Sequence, residues 1–252
     1  PKFTINEDMI TLFYEQNRLE NRGSIDELRP QIRDYLANQL KQESVYRQYN
    51  EALSKGLVKS YLQAPSEFLL ETNVGQGYLR GNKKAKVILL EYSDYQCPFC
   101  ARVQNILTEL IKEYGSRVAF GYRHFPLPFH KEADEAAIAA ECARDQGKFE
   151  VLHSLLFKNQ KNQFVENLVG YADEIGVKDV DQYEKCIIEE NYRSRVLDDL
   201  KAGQEAGVTG TPGFFIGTFD SKSGRVRGEL LSGARPFQDF KQALEKYLNH
   251  QS

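Results

Sequence analysis

Apolar positions along the chain change period several times, and each change marks an element. In residues 1–64 they recur at helical spacing, at Ile25, Leu28, Ile32, Leu36 and Leu40 and then at Tyr46, Tyr49, Leu53 and Leu57. This predicts an arm that is helical throughout. Ser24-Ile25-Asp26-Glu27 reads as a capping box, and Pro30 implies a late start or a bend. Pro65 closes the arm, and the turn-rich stretch 73–82 reads as a connection. Lys86–Tyr92 (KVILLEY) is short and continuously apolar, as a buried strand is. A helix is predicted over Pro98–Tyr114 and a strand over Arg117–His124. A helical block follows over about 131–206, with breaks near Gly147, Gly176 and Asn191; Ala133, Ala136, Ala137, Ala139 and Ala140 suit close helix packing. Gly213–Gly217 and Glu229–Leu231 flank the turn Ser221-Lys222-Ser223-Gly224 and read as a hairpin, before a last amphipathic helix over about Pro236–Asn249. Without the helical block the order is β-α-β-β-α, a small mixed α/β sheet covered by helices.

Composition narrows the function classes. The 252 residues are 41% hydrophobic and 27% charged with a net charge of −3, as in a globular chain with a real core. No basic block stands out, which argues against a nucleic-acid partner. No apolar run approaches the ~20 residues of a membrane helix. The chain opens at Pro1 without a methionine, which reads as a processed start with any leader removed. Basic and acidic residues balance in the arm, which suits a protein-facing surface better than a membrane-facing one.

The four cysteines are Cys97, Cys100, Cys142 and Cys186. A CxxC pair serves redox chemistry or metal binding. Zinc would need two further soft ligands at suitable spacing, and neither the other cysteines nor His124, His130, His153 and His250 supply them. Cys97 falls where a buried strand gives way to a helix, with Pro98 at the first helical position. Unpaired N–H groups and the helix dipole favour a thiolate there. Cys97 is therefore expected to be the exposed nucleophile and Cys100, one turn on, its buried partner. Two core cysteines would satisfy the bare motif equally. Glu91, an acid within an apolar strand, is expected beneath the pair with a raised pKa and a proton-transfer role; a solvated strand-edge charge is the other reading. Tyr95 and Phe99 fit either an exposed docking surface or packing. Val208-Thr209-Gly210-Thr211-Pro212-Gly213 is a glycine-bracketed proline before a strand. Cys142 and Cys186 both have apolar neighbours and are expected to form a structural disulfide; two independent buried thiols are the alternative.

Together these residues resemble the DsbA-like branch of the thioredoxin superfamily. Glu91 stands six residues before Cys97, a helical block divides the two halves of the fold, and Gly210-Thr211-Pro212 matches the family's cis-proline loop. The pattern His130…Ala136-Ala137…Cys142-Ala143…Gly147-Lys148-Phe149 is similar to bacterial members, and the likeness covers about residues 66–249. The resemblance implies an arm over 1–64 and a thioredoxin-like domain over 65–252. It implies a cis Thr211–Pro212 bond facing the CxxC, and client contact through Pro98, Phe99, Thr211 and Pro212. It further implies thiol–disulfide exchange on exported proteins with free thiols, with no cofactor beyond the redox-active disulfide. An extracytoplasmic address, in the periplasm or cell envelope, and a membrane redox partner of the DsbB or VKOR kind follow from it. Two departures matter. Pro98-Phe99 replaces the Pro-His of the strongest oxidants, so a less oxidising pair is expected. Thr211 before the proline is also an isomerase feature, which leaves oxidase and isomerase open. The arm is similar, through Ile32-Arg33-Asp34-Tyr35-Leu36…Gln39-Leu40, to helices of SurA-like chaperones. It could pack, form a homo-oligomer or bind clients, so a redox-active chaperone stands as an alternative, as does a reductant for metallochaperone or cytochrome maturation.

Overall fold

A computed structural model describes residues 5–17, 19–21, 23–54, 57 and 69–249. The chain divides into two compact units, Pro1–Glu67 and Phe68–Ser252.

In the first unit α1 (Glu7–Gln16) and α2 (Ile25–Ser54) are joined through a 3-10 turn at Leu19–Asn21. Asn6 caps α1, its side chain accepting from the Met9 N–H at 2.9 Å. The Ser24 N–H donates to Glu27 Oε2 (2.8 Å) and the Glu27 N–H returns to Ser24 Oγ (3.4 Å), closing the capping box. That box starts a new helix, so the arm is not helical throughout. Nor does Pro30 delay α2, which starts at Ile25 and runs through it. Ile10, Leu19 and Ile32 form a small core with Phe13, Leu28 and Leu36 packed against it. The expected continuation of the helix over 58–64 lies outside the described residues, as do the side chains of Tyr46, Tyr49 and Leu53.

The second unit is built on six strands: β1 (Leu70–Asn73), β2 (Tyr78–Gly81), β3 (Val87–Ser93), β4 (Ala119–His124), β5 (Gly213–Asp220) and β6 (Arg225–Ser232). Their order across the sheet is β1-β6-β5-β3-β4-β2. β3 lies in the middle, parallel to β4 and antiparallel to β5, and every residue of it is buried. A strand covered on both faces needs no alternation, which is why its sequence is a continuous apolar run. The β3–β4 crossover is α3 (Pro98–Tyr114), whose Val103, Leu107, Leu110 and Tyr114 pack with Leu89, Phe120, Phe214 and Ile216 on one face of the sheet. The last helix, α9 (Phe237–Asn249), adds Phe240 and Leu244 to that layer. Ile88, Leu90, Tyr92 and Phe215 serve the opposite face.

Between β4 and β5 stand α4 (Ala133–Asp145), α5 (Phe149–Lys158), α6 (Val165–Ile175), α7 (Val180–Ile188) and α8 (Arg193–Glu205). Their core takes Ala136, Ala139 and Ala140 together with Leu152, Leu156, Leu168 and Tyr183. Breaks fall near Gly147, Gly176 and Asn191, and a further one at residues 159–164 has no glycine to announce it. Two buried carboxylates tie the block to the sheet. Asp199 of α8 accepts from Arg123 Nε at 2.6 Å and from the His124 N–H at 3.0 Å. Glu141 of α4 meets His124 Nε2 at 3.1 Å and also pairs with Arg144 and Arg195.

The stretch 73–82 is more than a connection. It carries the end of β1 and all of β2, which form the two edges of the sheet. Four-residue strands on an edge have too few apolar positions to show a period. Gly77 admits the close approach: a Cβ there would stand 2.7 Å from the Tyr122 carbonyl oxygen.

Cys142 of α4 and Cys186 of α7 are joined in a disulfide with Cα atoms 5.9 Å apart and 44 residues of separation. Constraining a loop of that length in the unfolded chain contributes about 4 kcal/mol on the chain-entropy estimate. Replacing both cysteines by alanine is expected to lower unfolding stability by roughly that amount. Urea denaturation followed by circular dichroism measures it, and an unchanged midpoint would contradict the expectation.

Candidate active site

β3 ends at Ser93, and after three intervening residues Cys97 is the N-cap of α3, with Pro98 at the first helical position. The loop between them is held by one buried carboxylate. Asp94 Oδ1 accepts from the Gln96 N–H at 2.7 Å, and Oδ2 accepts from the Leu127 N–H at 2.7 Å and meets His130 Nδ1 at 2.8 Å. The Cys97 N–H donates to the Asp94 carbonyl at 3.1 Å. Gln96 exchanges two hydrogen bonds with Glu132, at 2.7 and 2.9 Å.

Both active-site cysteines are free thiols and both are buried. Cys100 is in its expected place, but Cys97 is not exposed: none of its surface reaches solvent. The Thr211 carbonyl lies 3.5 Å from Cys97 Sγ, and Thr211 and Pro212 are themselves buried. A helix-entry position orients a sulfur but does not decide what lies over it. Here the following strand's entry loop does. The Thr211–Pro212 peptide is cis. Pro98, beside the sulfur, is exposed and Phe99 is half-buried, with the Arg102 guanidinium 4.9 Å from its ring centroid. Tyr95 belongs to the packing and not to a docking surface. It is buried, and its hydroxyl lies 3.1 Å from His153 Nδ1.

Electrostatics separate the two thiols. Burial raises Cys97, and so does the Asp94 carboxylate. Hydrogen bonds with Cys100 and Thr211 and the nearby His130 ring outweigh them, and the thiol ends below its ordinary value. Burial, reinforced by the hydrogen bond and charge of Cys97, holds Cys100 well above. Among the described residues no group of three or more His, Cys, Asp or Glu side chains could hold a metal.

Glu91 lies in the central strand, 1% exposed, opposite Tyr122 on one side and Phe214 on the other. Burial pushes its carboxyl up to about 7, against the pull of the Ser93 hydroxyl, the Arg80 guanidinium and the Gln104 amide. Gln104 Nε2 donates both to Glu91 Oε1 (3.0 Å) and to the Cys100 carbonyl (3.2 Å), so one side chain links the acid to the second cysteine. Asp94, Gln104, Gln160 and Gln163 escape a sequence reading. Gln104 had a faint signal, one helical turn after Cys100; the others reach across the fold.

A carboxyl whose folded pKa is raised from 4.5 to about 7 disfavours the folded state once ionised. The penalty is absent below the unfolded value, grows as pH rises and is complete above about 7, where it amounts to about 3 kcal/mol. Glu91→Gln is therefore expected to be more stable than the parent at pH 8 by up to about 3 kcal/mol, with the gap closing at pH 4. Denaturant melts at the two pH values test this; a gap independent of pH would refute it.

The thioredoxin family pattern matches residues 73–227, more than half of the chain, and leaves the arm outside it. Curated relatives include the Na(+)/H(+) antiporter NhaA 3 of Salinispora tropica, 32% identical, and NhaA 1 of Salinispora arenicola, 30% identical, each over 151 residues. These alignments take in 60% of this chain but only 23% of the relative, so the chain spans under a quarter of those proteins. No helix among the described residues is long and apolar enough to cross a membrane. Oxidised BdbD from Bacillus subtilis superposes with a TM-score of 0.61 at 20% identity, covering 72% of this chain and 97% of that one. Wolbachia pipientis α-DsbA1 gives 0.59 at 22% identity, with 73% and 96% covered. A thioredoxin-like oxidoreductase from Silicibacter pomeroyi gives 0.59 at 24% identity, with 68% and 92% covered. The chain belongs to the thioredoxin family, and its second unit has the fold of the DsbA-like proteins.

Proposed function

We propose that the chain is a thiol–disulfide oxidoreductase acting through Cys97 and Cys100, with exported proteins bearing free thiols as its clients. The observation that carries this is geometric: two free thiols one helical turn apart at the start of α3, with the Thr211 carbonyl of the cis Thr211–Pro212 loop 3.5 Å from Cys97 Sγ. Starting from the oxidised pair, a client thiolate attacks Cys97 Sγ. The Cys97–Cys100 bond breaks and its electron pair leaves on Cys100. Cys100 then takes up a proton, for which Glu91, linked through Gln104, is the nearby donor. A second client thiolate attacks the client sulfur of the mixed disulfide, the client disulfide forms, and Cys97 leaves as thiolate. Its lowered pKa makes it the better leaving group. Because Thr211 covers Cys97, an approaching client would take over the Thr211 backbone contact, with Pro98, Phe99 and Pro212 forming the rim.

The Cys142–Cys186 disulfide supports an oxidising, extracytoplasmic setting in the periplasm or cell envelope. A membrane redox partner of the DsbB or VKOR kind would reoxidise the pair, and no cofactor besides the disulfide enters the scheme. Transport is not proposed for this chain, which matches 23% of the antiporters' length. The separate helical unit supports a second role for residues 1–64, as a client-binding or self-associating arm.

Cys100→Ser is expected to accumulate mixed disulfides with disulfide-bearing clients, because the Cys97 thiolate attacks the client disulfide, a client thiolate leaves, and no resolving thiol remains to release the adduct. Cys97→Ser should accumulate none. Acid-quenched samples on non-reducing gels, with mass spectrometry of the adducts, make the comparison. Equal trapping by both variants would remove the assignment of roles.

A further inference from the structure

The turn between α5 and α6 sends two glutamines into the redox loop. Gln160 Nε2 donates to the Tyr95 carbonyl at 2.8 Å and to the Cys97 carbonyl at 2.9 Å. Gln163 Nε2 donates to the same Tyr95 carbonyl at 3.2 Å and to Leu156 in its own unit of chain at 2.9 Å. Gln163 is 1% exposed, whereas Gln160 is half-buried. Both anchor the loop, but only Gln160 touches the backbone of the nucleophile.

The Cys97 carbonyl is the first acceptor of α3, taking the Cys100 N–H at 3.0 Å and the Ala101 N–H at 3.2 Å. A primary amide has two N–H donors on one nitrogen. Gln160 uses that nitrogen for the carbonyls before and at Cys97, so it fixes the orientation of the N-cap against the first turn. The orientation decides how well Cys97 Sγ meets the Cys100 thiol, whose hydrogen bond favours the Cys97 thiolate, and how near it stays to the Thr211 carbonyl, 3.5 Å away, which accepts from the thiol and opposes ionisation. The positive end of the amide dipole also points at the N-cap, where it opposes loss of a thiolate's charge stabilisation.

We infer that Gln160, carried by the helical insertion and 63 residues from Cys97, is a positioning residue that sets the acidity and redox poise of the Cys97–Cys100 pair. The inference rests on the redox role proposed above. It gives the insertion a part in the chemistry: the block that interrupts the fold supplies a donor to its active-site helix.

The test uses the full chain and three variants. Gln160→Ala removes the donor, Gln160→Glu keeps the shape but replaces the donor with an acceptor, and Gln163→Ala removes the neighbouring anchor. Cys97 acidity is read from the pH dependence of iodoacetamide alkylation, redox poise from equilibration with glutathione, and stability from urea melts. Both Gln160 variants should raise the Cys97 pKa by at least about half a unit and shift the glutathione equilibrium about threefold toward the oxidised pair, since a less stabilised thiolate makes a weaker oxidant. Gln163→Ala should lower stability and leave Cys97 acidity unchanged. Unchanged pKa and equilibrium in folded Gln160→Glu would overturn the inference, as would a Gln163→Ala shift as large as that of Gln160→Ala. If Gln160→Ala fails to fold, the isosteric glutamate decides. A parent chain whose pair does not cycle with glutathione at all would instead overturn the redox role, and this inference with it.

Discussion

The geometry at the end of the central strand depends on the Asp94 carboxylate. Its two oxygens accept from Gln96 and Leu127 backbone N–H groups and meet the His130 ring, all within 2.8 Å. Those partners lie on the redox loop itself and on the segment leaving β4. One side chain therefore ties the start of α3 to β4's continuation. A buried carboxylate left without such partners would cost several times what each bond returns, so the three contacts stand or fall together. The first turn of α3 and the Cys97 N-cap are placed relative to this anchor.

Around it, the same physical effect has opposite outcomes on neighbouring groups. Burial raises Glu91 and Cys100, each of which has few partners for its charged form. Burial opposes ionisation of Cys97 as well, yet there the donors prevail. A low dielectric strengthens whatever hydrogen bonds remain, so the asymmetry between two sulfurs three positions apart at a helix start comes from who faces them and not from depth. The helical insertion takes part in this, since Gln160 reaches the Cys97 carbonyl from its α5–α6 turn.

The parts of this arrangement that were legible in the sequence are local ones. Continuous apolarity marked β3, Cys97-Pro98 marked the start of α3 in the right register, and Glu91 was out of place in its strand. The apolar settings of Cys142 and Cys186 pointed to two inward thiols, which meet. What stayed hidden is long-range or lies at an edge. Asp94 contacts residues 33 and 36 positions away, and Gln160 reaches back 63 and 65. Such polar contacts leave no period. β1 and β2 were missed because each is four residues long, and the exposure of Cys97 was misjudged because a loop more than a hundred residues later covers it.

The two short outer strands have a further consequence. β1 and β2 border the sheet with four residues each, β1 bears Glu71 paired with Arg227, and β2 bears Arg80 paired with Glu150. An open edge is a template on which another extended chain can polymerise, and brevity and charge blunt it. A protein whose work would bring it against unpaired segments of other chains is most exposed to that hazard. Its sheet thus ends in borders whose brevity and charge oppose pairing with such segments.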